Sequence, residues 1–342
     1  MTKKNRRYLL LFAGLMFLTG ILVIYRILYK TVIRADDNKV LYIPTGSSYK
    51  SVLDTLYSNL DIKNHSVFEW VAKKKNYPSL IKPGRYVLDT DESYIGLINL
   101  LRSGRQNPVK VTFNNVRSLN QVAGKIGKQI EADSSRLINF FSDDSNYSTD
   151  GFKSETIIAL FIPDTYEFYW NTDAKELYER MLKEYRQFWN EERLEKAKEK
   201  NLTQVEAAIL ASIIDDEVTK KDDKPRIAGV YLNRLKRGIP LQACPTIKFA
   251  LNDFTITRVL KKHLIVDSPY NTYRHKGFPP GPIGCPSKEG LDAVLNAEKH
   301  DYIYFAAKAD FSGYHNFSRT LSEHNRYAAL YQKELNKRKI FK

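Results

Sequence analysis

The sequence is most informative first in what it lacks. It has two cysteines and six histidines in 342 residues. There is no Gly-x-Ser-x-Gly elbow, no His-Glu-x-x-His pair and no phosphate-binding P-loop, which removes the motif-based cases for a serine hydrolase, a zinc peptidase and a nucleotide hydrolase. His65, His263, His275, His300, His315 and His324 are dispersed, and no pair has zinc-ligand spacing beside a cysteine or carboxylate cluster. No metal or other cofactor is expected. Internal repeats and long low-complexity tracts are also missing. Acidic residues are short of balance: 39 against 54 basic ones, a net charge of +15. Such a surplus suits nucleic acid, anionic lipid or an acidic polymer, and charge alone does not choose among them.

The N-terminus does choose. Lys3, Lys4, Arg6 and Arg7 precede an uncharged run of 18 residues, Tyr8 to Tyr25. That length is at the short end of what crosses a bilayer, and Arg26 and Lys30 can reach back to the headgroups. A cleaved signal peptide is the competing reading, but no small-x-small site ends the run. The basic residues before the span favour a cytoplasmic N-terminus, a bias that Arg26, Lys30 and Arg34 reduce. The remainder is then expected outside the cytoplasm, with the bilayer as a partner and nucleic acid excluded.

Beyond the span the pattern is mixed α+β. A strand is expected at Lys39–Pro44, and helices over 51–60 and 65–76, the latter with Val67, Trp70 and Val71 on one side. A strand at Arg85–Leu88 precedes a helix from Ser93 to a Gly104 stop. Val109–Asn114 alternates as a strand. A helical pair spans Leu119–Phe141, and the polar run Ser142–Gly151 is read as a boundary. One long charged helix is expected from Ala174 to Asn201, with pairs such as Glu179 and Lys183. The 22 tyrosines suit either carbohydrate surfaces or ordinary strand packing.

Two regions carry chemistry. Thr203-Gln-Val-Glu206 reads as a capping box opening a helix through VEAAILASII into Asp215, Asp216 and Glu217. At 100° per residue Glu217 falls on the stripe of Leu210, Ile213 and Ile214. Poor solvation there would raise its pKa, as a general acid at neutral pH requires. If the helix instead frays at Asp216, Glu217 stands in water. The second region is the pair of turn-rich stretches 228–246 and 268–283. Asn233, Arg234 and Gln242 supply donors, and Tyr270, Asn271 and Tyr273 combine stacking faces with an amide before a rigid Pro-Pro-Gly-Pro loop. They form either the wall of a sugar subsite or a structural turn. Cys244 and Cys285, each followed by proline, are either bonded or two buried thiols.

Several stretches together resemble the endolytic murein transglycosylases of the YceG-like family. They are PDTYEF from Pro163, ASIIDDEV from Ala211, GVYLNRL from Gly229, LQACPT from Leu241, SPYNTYRHKGFPPGPIGCP from Ser268, YIYFAAK from Tyr302 and HNFSRTLSEHN from His315. The resemblance implies an α+β protein with a cytoplasmic N-terminus (1–7) and a single N-terminal transmembrane helix (8–28). A small LysM-like α+β module (39–108), a connecting segment (109–154) and a larger α+β YceG-like catalytic domain (155–342) follow. The family's acidic motif reads Ala-Ser-Ile-Ile/Val-Glu-Lys-Glu with the second Glu catalytic. That position is Glu217 here, while Asp215 and Asp216 replace Glu and Lys. The extra negative charge would push the Glu217 pKa further up. Cys244 stands where the family has Asp, and a disulfide to Cys285 near the active site is expected.

The implied reaction is non-hydrolytic cleavage of the β-1,4 bond between N-acetylmuramic acid and N-acetylglucosamine. Glu217 is the acid, and Asn233, Gln242, Tyr270, Asn271, Tyr273, His315 and His324 bind substrate. The implied setting is the inner (cytoplasmic) membrane, acting on peptidoglycan glycan strands beside synthases (penicillin-binding proteins). A hydrolase using Asp215 or Asp164 as second carboxylate, and an inactive glycan-binding scaffold, are the competing readings.

Overall fold

In the computed structural model the described residues are 3–29, 33–34, 39–88, 92–114, 116–338. Lys30, expected to flank the span, and residues 339–342 at the end of the catalytic range lie outside them. Two compact units result. One comprises residues 1–110, 129–131 and 167–172, and the other comprises 111–128, 132–166 and 173–342.

The first unit begins with α1 (Lys3–Tyr29), of which Lys4–Arg26 is the one helix among the described residues long and apolar enough to cross a membrane. After β1 (Ile33–Arg34) come β2 (Lys39–Ile43), α2 (Tyr49–Asn59), β3 (Asp61–Ile62), α3 (His65–Lys74), β4 (Gly84–Leu88) and α4 (Tyr94–Ser103). β2 and β4 pair antiparallel from Lys39↔Leu88 to Ile43↔Gly84. Alternation along β4 buries Gly84, Tyr86 and Leu88 beneath Phe68, Leu97 and Ile98. Ser48, Asn64 and Ser93 accept the backbone N–H three residues on, which fixes the start of each helix, and Gly104 stops α4 at φ 72°. The expected face of α3 is corrected. Phe68, Val71 and Ala72 are buried, while Trp70 is 53% exposed with Lys74 over its ring.

Further along run β5 (Val109–Phe113), α5 (Leu119–Ile126), α6 (Ser134–Phe141) and β6 (Asp164–Phe168), with β5 and β6 paired. Within the run expected as a polar boundary, Tyr147 is fully buried, its hydroxyl donating to Phe141 O and Asp144. The long charged helix is in fact two, α7 (Ala174–Phe188) and α8 (Glu191–Glu199). Trp189 turns inward and Asn190 caps a new start. The ion pairs along α7 are Lys175–Glu179 and Arg180–Glu184.

The centre of the second unit is α9 (Gln204–Glu217), buried without interruption from Ala207 to Ile214. A helix that is apolar all round needs cover all round. It packs against α10 (Lys224–Lys236), α11 (Cys244–Ala250) and α12 (Lys288–Leu295). The antiparallel ribbon β7 (Tyr304–Ala307) and β8 (His315–Ser318) and the closing helix α13 (Leu321–Lys337) complete the unit. Many tyrosines are core residues: Tyr77, Tyr86, Tyr94, Tyr147 and Tyr231 are all buried.

Candidate active site

The capping box that opens α9 is present: Thr203 accepts from Glu206 N, and the Glu206 carboxylate accepts from Thr203 N. The helix does not fray at Asp216. Glu217 is its last residue, and Val218 N donates to Ile214 O at 3.0 Å. Successive residues turn by about 100°, so the three acids leave the helix in three directions.

Asp215 is tied down. Its carboxylate accepts from Lys224 Nζ, Ser287 N and Ser287 Oγ, each at 2.8 Å. Asp216 is exposed and pairs with Arg117. Glu217 turns inward, and its Oε2 is buried with no hydrogen-bond partner among the described residues. Burial pushes its pKa from 4.5 up to about 7; Lys248 opposes this and Asp216 adds to it. The extra charge at Asp216 therefore acts in the direction expected, with burial the larger cause.

Besides Lys248 and Asp216, three side chains share electrostatic contact with Glu217: Tyr231 of α10, Tyr273, and Cys244 at the start of α11. The Tyr273 hydroxyl lies 3.2 Å from Cys244 Sγ. The Tyr231 hydroxyl is buried and unpartnered among the described residues. The loops behind them are stitched by Thr272. Its carbonyl accepts from Gln242 N (3.0 Å), and its hydroxyl accepts from Ala243 N (3.0 Å) and meets Thr246 Oγ1 (2.8 Å). Gln242 sits at φ 54°, leaving its side chain exposed. Ser212 accepts from Ile283 N at 3.0 Å and so pins the proline-rich loop to α9. In that loop a Cβ on Gly281 would come within 1.9 Å of Glu155 O, so only glycine fits.

Not every expected binding residue joins this group. Asn271 is 0% exposed, with Nδ2 donating to Leu264 O and Val266 O and Oδ1 accepting from Tyr273 N. It builds the turn and has nothing left for a sugar. Asn233 lies about 200° around α10 from Tyr231. Its amide donates to His300 O and Tyr302 O beside a separate cavity of about 1080 Å³. His315 is held by Asp223 through its backbone N–H and Nδ1. Tyr270 is half-buried against Phe249, with ring centroids 4.6 Å apart. Tyr273 borders Glu217, and Gln242 and His324 lie around Arg234. Thr272 and Ser212 are not among the expected site residues, and Arg234 is expected only as one donor among several near tight turns.

The expected disulfide is corrected. Both cysteines are free thiols. Cys244 lies beside Tyr273 and Glu217, whereas Cys285 N donates to Val116 O and its thiol, pushed up to about 12 by burial, neighbours Tyr166 and Lys125. Titration in denaturant is expected to find two thiols per chain with or without prior reduction. A gain of two after reduction would restore the bond.

Residues 41–329 match the family model described as the YceG-like family. The endolytic murein transglycosylase of Bacillus subtilis (strain 168) is 30% identical over 312 residues, 86% of this chain and 85% of that protein. That of Streptococcus pneumoniae strain D39 is 28% identical over 83% of this chain, which spans only 57% of that longer relative. The crystal structure of a yceG-like protein from Listeria monocytogenes superposes with a TM-score of 0.55 at 28% identity, covering 84% of this chain and 97% of that one. A buried acid at the end of an apolar helix, the Thr272-stitched loops and this extent of match lead to one assignment: the chain belongs to the YceG-like family.

Proposed function

We propose that the protein is a membrane-anchored endolytic lytic transglycosylase that cuts the β-1,4 bond between N-acetylmuramic acid and N-acetylglucosamine in nascent peptidoglycan. The observation that carries the reading is that one of the four candidate carboxylates is free. Glu217 holds its proton near neutrality on an unpartnered oxygen, whereas Asp215 is bound by Lys224 and Ser287, Asp216 by Arg117 and Asp164 by Lys288. Ordinary glycosidases need two carboxylates. A lytic transglycosylase needs one. Glu217 gives its proton to the glycosidic oxygen as the bond from C1 to that oxygen breaks. The C6 hydroxyl oxygen of the same muramic acid bonds to C1, and Glu217, now a carboxylate, takes the hydroxyl proton. The products are a free 4-hydroxyl on N-acetylglucosamine and a 1,6-anhydromuramyl end, with no water consumed. Because the nucleophile belongs to the substrate, its effective concentration is high.

The apolar helix Lys4–Arg26 supports single-pass anchoring with the second unit outside the cytoplasm, close to newly made strands and their synthases. Cutting there would terminate strand elongation. The LysM-like reading of the first unit rests on resemblance. An exposed Tyr42 ring 4.9 Å from Trp170 would give it a stacking face for sugar. The test is digestion of purified nascent strands by the full-length protein in detergent, with products read by mass. Internal fragments with anhydromuramyl ends are expected. Fragments heavier by one water would make the protein a hydrolase.

A further inference from the structure

Arg234 is 7% exposed, yet no carboxylate among the described residues lies in ion-pair range of it. Its Nε donates to Ile303 O (2.6 Å), and Nη1 donates to Pro240 O (3.1 Å), Leu241 O (2.8 Å) and Gln242 Oε1 (3.2 Å). Nη2 makes no hydrogen bond among the described residues and is not sealed from solvent. A buried cation answered only by neutral carbonyls is costly, and a ligand anion would relieve it.

The surroundings suit such a ligand. The guanidinium lies over the Tyr304 ring, 5.2 Å from its centroid. His324 stacks on the same ring at 5.2 Å, with Nδ1 buried and unpartnered among the described residues. Burial, and secondarily Arg234, lowers the His324 pKa, so it stands there as a neutral ring. Arg234 is one helical turn from Tyr231, and it acts electrostatically on both Tyr231 and Tyr273, the two tyrosines that border Glu217. Free N–H donors at Nη2, on a planar guanidinium whose Nε and Nη1 are already immobilised, match a carboxylate oxygen.

We propose that Arg234 Nη2, framed by Gln242 and by His324 on the Tyr304 ring, binds a carboxylate on the lactyl arm of the N-acetylmuramic acid whose bond Glu217 cleaves. The carboxylate is that of the lactyl group itself in stripped strands or one of the stem peptide in substituted ones. This rests on the transglycosylase reading, because it is that substrate which carries the arm. Arg234 thereby reads the muramic side of the bond, and Glu217 acts on the bond itself.

The experiment measures equilibrium binding to the full-length Glu217→Gln protein, which leaves the ligand uncut. Three tetrasaccharide probes are used: one with free lactyl acids, one with lactyl methylamides, and one bearing stem peptides. At least one acid probe is expected to bind about tenfold tighter than the methylamide. Adding Arg234→Gln should erase the difference, and Arg234→Lys should keep part of it. A gap confined to the peptide-bearing probe assigns the carboxylate to the stem. Equal binding of all three overturns the proposal and needs no variant at position 234, so poor folding of those variants would not shield it. If native strands go uncut while binding still depends on Arg234, the transglycosylase reading falls and the carboxylate subsite stands. If cleavage is intact and binding ignores the lactyl group, the reverse holds.

Discussion

Glu217→Gln is expected to lower cleavage by about 10²–10⁴-fold, the usual contribution of a positioned general acid. The change is isosteric and keeps α9 and its neighbours in place. It removes only a proton that sits on a buried oxygen. The pH behaviour follows from the same burial. The free enzyme is active while Glu217 is protonated, so kcat/KM should fall about tenfold per pH unit above about 7. Stability carries a matching signature. The unfolded chain releases this proton near 4.5, whereas the fold retains it to about 7. Across that window the unfolded state binds fewer protons, so the native protein loses stability as pH rises, and the full penalty stands above about 7. It is on the order of 3 kcal/mol. Glu217→Gln never ionises and escapes it. The variant should melt close to the native protein at about pH 5 and clearly above it at pH 8. An equal gap at both pH values would mean that Glu217 is solvated, and unimpaired cleavage would move the acid elsewhere.

Much of this was legible because local rules agree with the packing. Ser93 and Gly104 bound α4 as their types require, and the Thr203–Glu206 box starts α9. The apolar stripe of Leu210, Ile213 and Ile214 pointed to a buried face, and the last residue of the helix, on that stripe, held the acid. What escaped was decided by partners distant in sequence. Asn271 has the composition of a sugar-binding amide, but Leu264 O and Val266 O consume its donors. The resemblance implied a bond between Cys244 and Cys285; the fold gives them different neighbours. Trp70 is large and apolar, yet the α3 face that meets the core is centred on Phe68, one position round. Arg234 looked like one donor among several, because nothing in its neighbours along the chain shows that Ile303 O and three acceptors of the 240–242 turn occupy Nε and Nη1 and leave Nη2 open.

Asp215→Ala is expected to cost about 3 kcal/mol or more of stability, the scale for breaking a buried ion pair from one side. The Lys224 side chain is 9% exposed and reaches both Asp215 (2.8 Å) and Glu289 (2.9 Å). Without Asp215 it keeps one acid, and Ser287 N and Oγ, which bind that carboxylate at the start of α12, lose their acceptor. The join between α9 and α12 would then be held by apolar packing alone at this point. Asp215→Asn keeps one acceptor oxygen and should lose less. A Cβ on Gly290 would come within 2.6 Å of the Asp215 carboxylate oxygens, so Gly290→Ala should weaken the same join without touching charge. Chemical denaturation of the three variants, paired with turnover at a temperature where each is folded, separates the readings of this acid. If Asp215 only anchors the helix, the folded Asn variant cuts within about tenfold of the native protein, far short of the loss expected at Glu217. Were Asp215 a second catalytic carboxylate, Asn would abolish turnover at little cost in stability. The ion pair argues against that outcome, since a nucleophile or base must be free to meet substrate and this carboxylate already carries three donors.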